Sequence, residues 1–190
     1  MPSLKDNFNE VIERIRQGRE LGSASFEPVY YLIFEPQQIL DVKRQMPAWT
    51  ARLRNDGWDV EIFSIADNVN EILQNSPLRK IWLEADKRAP QSWDKTNQSL
   101  ANALSNGSLQ TRLEQCLEKL ETKEKGILLV TDLEALHPYL RIGAIENQLH
   151  GKFSSPTVFL YPGKRTGKTQ LKFLGFYPED GNYRSVHVGG

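Results

Sequence analysis

Val29-Tyr30-Tyr31-Leu32-Ile33-Phe34 is an unbroken apolar run, rich in β-branched and aromatic side chains and bounded by Pro28 and Pro36. A strand with one wet face would alternate; six apolar residues in succession predict a strand covered on both faces. Ile127-Leu128-Leu129-Val130, ending in Thr131-Asp132, is a second such run, and Thr157-Val158-Phe159-Leu160-Tyr161 is a third. Trp58, Val60 and Ile62 alternate with Asp59 and Glu61, which predicts a strand with one wetter face. Pro162-Gly163 is read as the turn after the third run, with Leu171, Phe173 and Phe176 on a returning strand.

Helical spacing fills the intervals. Ser3 and Asp6 form a capping signature ahead of Leu4, Phe8, Val11, Ile12 and Ile15, with Gly18 as the expected stop and a polar connector from Arg19 to Glu27. Ile39, Val42, Met46, Trp49 and Leu53 follow steps of three and four, interrupted by Pro47, so a kink or two helices are expected. Ser64 and Asp67 cap a helix carrying Ile65, Val69, Ile72 and Leu73. Residues 76–125 are less legible: Leu78, Ile81 and Trp82 read as a short buried segment, followed by helices near 94–105 and 109–123. Cys116 falls on the leucine stripe of the second of these and is expected to pack as a small hydrophobe. Tyr139 to Leu149 is read as helical, with Gly151 as its stop. Strands alternating with helices predict an α/β layered fold: a single domain over 1–190, a mostly parallel sheet of about five strands, right-handed crossovers and a C-terminal β-hairpin.

Composition agrees with a globular chain. The 190 residues carry 24 basic and 24 acidic side chains, and 25% are charged, which argues against a disordered or coiled-coil chain. One cysteine and no Cys/His spacing of the zinc type point to a reducing compartment. MPSLKDNFNE has no apolar h-region, and the longest apolar run is far short of the roughly twenty residues that span a bilayer, so the expected location is cytoplasmic. The neutrality is uneven. Residues 151–190 hold six bases, Lys152, Lys164, Arg165, Lys168, Lys172 and Arg184, against Glu179 and Asp180.

That basic segment contains the nearest approach to a chemical motif, Pro162-Gly163-Lys164-Arg165-Thr166-Gly167-Lys168-Thr169. A Walker A loop needs Gly, four residues, then Gly-Lys-Ser/Thr, and must open a helix whose dipole meets the phosphate. Here Pro162 stands where the first glycine belongs, and an extended run follows. Ile127 to Asp132 resembles a Walker B strand, but Asp132 at a strand end is as readily a cap for the next turn. Glu35, Asp132, His137 and Arg141 all fall near strand ends and form a candidate cleft. No HExxH, GxSxG or CxxC occurs, and no catalytic residue, metal ligand set or cofactor is assigned. Lys164, Arg165, Lys168, Lys172 and Arg184 are the candidates for contact with a partner or with phosphate.

The set Phe34-Glu35-Pro36, Gly57-Trp58-Asp59-Val60, Val69-Asn70-Glu71-Ile72-Leu73, Leu129-Val130-Thr131-Asp132, His137-Pro138-Tyr139-Leu140-Arg141 and Tyr161-Pro162-Gly163, with Phe26-Glu27-Pro28-Val29-Tyr30 and Tyr183-Arg184, resembles BrxB. That family is a small component of the bacteriophage exclusion (BREX) defence systems. The resemblance implies a setting shared with an adenine-specific DNA methyltransferase, a large AAA-type ATPase and PglZ, a member of the alkaline phosphatase superfamily. It carries no catalytic residue over to this chain. The expectation is therefore a non-enzymatic assembly factor that binds another BREX protein, with the PglZ-like protein first and the methyltransferase or ATPase second. DNA contact is not expected of the chain alone, nor membrane contact. The alternative is a nucleotide- or nucleic-acid-binding module derived from a P-loop-like fold, and a third reading is an enzyme using Glu35, Asp132 and His137.

Overall fold

The computed structural model describes residues 3–21, 27–167, 169–181 and 185–190. The three apolar runs are strands β1 (Val29–Phe34), β3 (Gly126–Thr131) and β4 (Thr157–Arg165), and the alternating run is β2 (Asp59–Ser64). Every residue of β1 and β3 is buried. Side chains alternate across a strand, so β1 sends Val29, Tyr31 and Ile33 into one core and Tyr30, Leu32 and Phe34 into the other. A sheet that is apolar on both sides must be covered on both sides.

The cover comes from six of the seven α-helices among the described residues. On one face lie α1 (Leu4–Leu21) and α2 (Ile39–Asn55), which meet each other through Phe8 and Trp49, stacked with ring centroids 4.4 Å apart. The opposite face is packed by α3 (Ile65–Gln74), α6 (Ser108–Glu121), a 3₁₀ turn over Leu133–Leu136, α7 (Ile142–Gln148) and the end of α5 (Trp93–Leu104). Helix α4 (Arg79–Arg88) lies outside both cores.

The sheet order is β2-β3-β4-β1-β7, with β7 (Val186–Gly189) parallel to β1 and all four pairings parallel. From β1 the chain crosses to the far edge over the α2 face, then returns through β2, β3 and β4 over the other face. Outward and return crossings on opposite faces have the same hand, as parallel connections require. Strands β5 (Gln170–Phe173) and β6 (Glu179–Gly181) extend β4 as an antiparallel meander, making seven strands where about five were expected. The expected strands correspond to β1 to β4 and the returning β5; β6 and β7 are additional, and Val186-His187-Val188 of β7 is too short a run to stand out.

Local signals hold in part. The Ser3–Asp6 box forms both ways: the Asp6 N–H donates to Ser3 Oγ at 3.2 Å and the Ser3 N–H to Asp6 Oδ2 at 3.0 Å. The Ser64 hydroxyl accepts the Asp67 N–H at 3.1 Å. Gly18 is not a stop: α1 runs on to Leu21, and a Cβ at Gly18 would meet the Tyr30 hydroxyl at 3.0 Å. Nor does Pro47 divide its helix, since α2 continues through it. Pro47 is exposed, so water can satisfy the Lys43 carbonyl that loses its donor there.

Of Leu78, Ile81 and Trp82, only Trp82 is buried. Pro162 and Gly163 sit inside β4, which runs on to Arg165, and the Thr166 N–H donates to the Gln170 carbonyl at the start of β5. Gly163 is needed for close approach rather than for turning: a Cβ would lie 2.5 Å from the Lys172 carbonyl oxygen. Phe176 stands beyond β5 and is exposed. Cys116 is half-buried against the α3–α6 core, and desolvation pushes its thiol upward. The connector residues 22–26 lie outside the described residues.

His187 on β7 is buried beside Tyr31, and its Nδ1 meets no partner among the described residues. Burial, with a smaller effect from Arg165, holds it neutral down to about 4. Its folded pKa therefore lies below the unfolded value of about 6.5, so its neutral form supports the fold above that pH. This contribution disappears as pH falls from about 6.5 toward 4. Urea melts at pH 7 and pH 4.5 are expected to show a smaller loss of stability in His187→Leu than in wild type; equal losses would contradict the assignment.

Candidate functional site

In open α/β sheets ligands gather beyond the carboxyl ends of the strands, where successive connections leave toward opposite faces. Here the connection after β1 rises to the α2 face and those after β2 and β3 to the other. A crevice of about 360 Å³ opens between them, walled by Phe34, Ile39, Val42, Met46, Ile62 and Leu160. Its polar end holds Lys43, Ser64, Thr131, Asp132 and Glu134.

Asp132 follows β3 directly, with a left-handed backbone (φ 60°, ψ 37°) that aspartate tolerates better than most residues. It does not use its side chain as a helix cap, as the strand-end reading had it. The carboxylate turns into the crevice, where Oδ2 accepts the hydroxyls of Ser64 at 2.9 Å and Thr131 at 2.8 Å. Lys43 reaches across from α2, with Nζ 2.8 Å from Asp132 Oδ1 and 2.9 Å from Glu134 Oε1. Burial opposes ionisation of Asp132, but the hydrogen bonds from Lys43, Thr131 and Ser64 outweigh it and hold the carboxyl below its ordinary value. The bonds to Asp132 and Glu134 in turn push Lys43 up to about 12. The ammonium thus lies where a cation bound between the two carboxylates would sit.

Between Phe34 and Ile39 of the crevice wall runs the β1 to α2 junction, read Glu35-Pro36-Gln37-Gln38. It contains no glycine. The Glu35 carboxylate accepts the Gln38 N–H while the Glu35 N–H donates to the Gln38 side chain at 3.1 Å. A phosphate brought to this strand–helix turn would meet a carboxylate already seated on its donors. Gly167 and Thr169 of the Gly-Lys-Thr string lie elsewhere, between β4 and β5.

The other predicted residues fall into separate places. Glu35 pairs with Lys164 at 3.5 Å, away from Asp132. Lys164 stands directly opposite Lys172, which stands opposite Glu179, so these three share one face of the meander. Arg165 is exposed and donates from Nε to the Gly167 carbonyl at 2.9 Å. His137 and Arg141 belong to a second cluster on the opposite face. The His137 ring is hydrogen-bonded to the Tyr177 hydroxyl and packs edge-on against Phe176 and Tyr177. Arg141 lies 3.6 Å over the Tyr177 ring and donates to Asp180 at 3.3 Å. Lys168 and Arg184 lie outside the described residues.

The four-residue cleft of Glu35, Asp132, His137 and Arg141 is therefore distributed over three sites. The residue that the sequence reading missed is Lys43. It stands between Val42 and Met46 within the stripe that faces the sheet, and a lysine inside an apolar stripe is the signal that marks it.

Lys43→Met would leave the Asp132 and Glu134 carboxylates facing each other without a counter-charge. Burial would then dominate at Asp132 and raise its carboxyl in the folded state, a penalty absent at low pH and growing as pH rises through the carboxylate range. Urea unfolding is expected to show a loss of about 1 kcal/mol at pH 8 and a smaller one at pH 5. A loss independent of pH would show that Lys43 serves by packing alone.

Among the described residues, no helix is long and apolar enough to cross a membrane. A family model described as the BREX protein BrxB matches residues 61–188, which run from β2 to β7 and include every crevice residue except those of β1 and α2. No curated protein and no solved structure matches the chain. With two thirds of its length covered in that match, the chain belongs to the BrxB family of BREX phage-defence proteins.

Proposed function

We propose that the chain is a non-enzymatic assembly factor of its defence system, working in the cytoplasm by binding another BREX protein. The PglZ-like protein is the first expected partner, and the methyltransferase and the AAA-type ATPase are the next. The observation that carries this reading is the surface around the β4–β6 meander. Phe176 is 63% exposed, yet it is held in place by His137 and Tyr177, with Arg141 stacked on the Tyr177 ring. Ordered aromatic and arginine side chains on a surface are the composition of a protein-interface centre. On the reverse face Lys164 and Lys172 are directly opposed, with Glu35 beside Lys164 and Glu179 opposite Lys172, a charged surface that offers two cations to an acidic partner.

The crevice supports the same reading. Its lysine and carboxylates are engaged with one another, so a reaction there would first have to break the pairs.

The triple variant Lys164→Ala, Arg165→Ala, Lys168→Ala is expected to change stability by about 0.5 kcal/mol or less, because exposed charges such as Lys164 and Arg165 contribute little to folding. It should reduce copurification of the partner from cells carrying the whole operon and lower phage protection, with the effect on binding shrinking as salt rises. If the wild-type protein elutes apart from each of the three candidates at micromolar concentration, the assembly reading fails.

A further inference from the structure

Helix α4 contributes little to the fold that carries it. Nine of its ten residues, Arg79 to Arg88, are exposed, and only Trp82 is buried, at 7% exposure. Trp82 is the anchor: its indole Nε1 donates to Ser99 Oγ of α5 at 2.8 Å. A ten-residue helix is too short to be stable by propensity, and helices in proteins draw their stability mostly from a packed apolar face. This one leaves much of that face in water. Ile81 is 62% exposed, Leu83 45%, and Leu78, at its N-terminal boundary, 40%.

The side chains are also ordered along the helix. Leu78, Ile81 and Ala85 follow steps of three and four, forming a stripe beside the buried Trp82. Helices that enter a partner's groove present anchors at this spacing. Around the stripe stand Arg79, Lys80, Lys87 and Arg88 against Glu84 and Asp86, an excess of two positive charges on a chain that is neutral overall. Such charge calls for an acidic rim on the surface that receives the helix. The two acids also distinguish this helix from one that lies on anionic lipid, whose polar face is dominated by lysine and arginine.

We infer that α4 is a docking helix, which places Leu78, Ile81 and Ala85 in an apolar groove with an acidic rim on another protein of the defence system. This rests on the reading of the chain as an assembly factor, but on a surface separate from the meander.

The test uses the full chain, tagged, in cells carrying the complete operon, with Ile81 replaced by a photo-reactive p-benzoylphenylalanine in one sample. The double variant Leu78→Glu, Ile81→Glu is compared with wild type and with Ile81→Leu. The expected result is at least a tenfold loss of the copurified BREX protein in the double variant and near-full retention in Ile81→Leu. Both proteins should melt within about 3 °C of wild type, because the substituted side chains are exposed. The photo-adduct should lie on that same BREX protein, in a segment bearing aspartate or glutamate. Undiminished retention in the double variant overturns the docking helix alone and leaves the assembly reading standing. An adduct with a second copy of this chain, or with lipid, also overturns it. If the wild-type protein retains no BREX protein, the assembly reading falls and the docking helix falls with it.

Discussion

The burial of β1, β3 and β4 on both faces is the constraint from which the rest of the structure follows. These strands expose no polar side chain row to water, so each face must be sealed by helices before the sheet can exist. Helices α1 and α2 seal one side; α3, α6 and α7 seal the other. To supply both layers the chain must leave β1 over one face and come back over the other. That reversal parts the connections at the carboxyl ends of the strands and creates the crevice. The site is thus a by-product of sheet burial, and its use depends on which side chains happen to line it.

In this chain they line it with mutually satisfying charges. Lys43, Asp132 and Glu134 come from α2, the end of β3 and the following turn, three elements brought together only by the fold. A carboxylate with two hydroxyl donors and an ammonium has its electrostatic needs met within the protein. On the outside stand an exposed phenylalanine in an aromatic cluster and a helix held by one tryptophan. Exposed apolar side chains that the fold does not need are what the proposed assembly role rests on.

Much of the fold was legible because the strands differ from the helices in period. The run from Val29 to Phe34 announces a doubly covered strand, and the Ser3–Asp6 and Ser64–Asp67 boxes place two helix starts correctly. Short or context-dependent elements were not legible. Strand β7 has three informative residues, and its place beside β1 depends on a long-range pairing that no local pattern encodes. The expected helix from Tyr139 shrinks to Ile142–Gln148, since a 3₁₀ turn and the His137-Pro138 junction occupy the approach. The apolar Leu78, Ile81 and Trp82 predict a buried segment, whereas Leu78 and Ile81 face water. Asp132 was recognised as a candidate, but its partner Lys43 stands 89 positions earlier, and grouping residues by their nearness to strand ends joined it instead to His137 and Arg141, which serve another surface.

The account stands most directly on whether the crevice is satisfied by its own side chains. Titration of the wild-type protein with magnesium and ATP, followed by calorimetry and by phosphate release, measures this. No saturable heat and no turnover above the buffer rate are expected. Saturable binding or magnesium-dependent hydrolysis that is lost in Asp132→Asn would contradict the account and return the crevice to nucleotide chemistry.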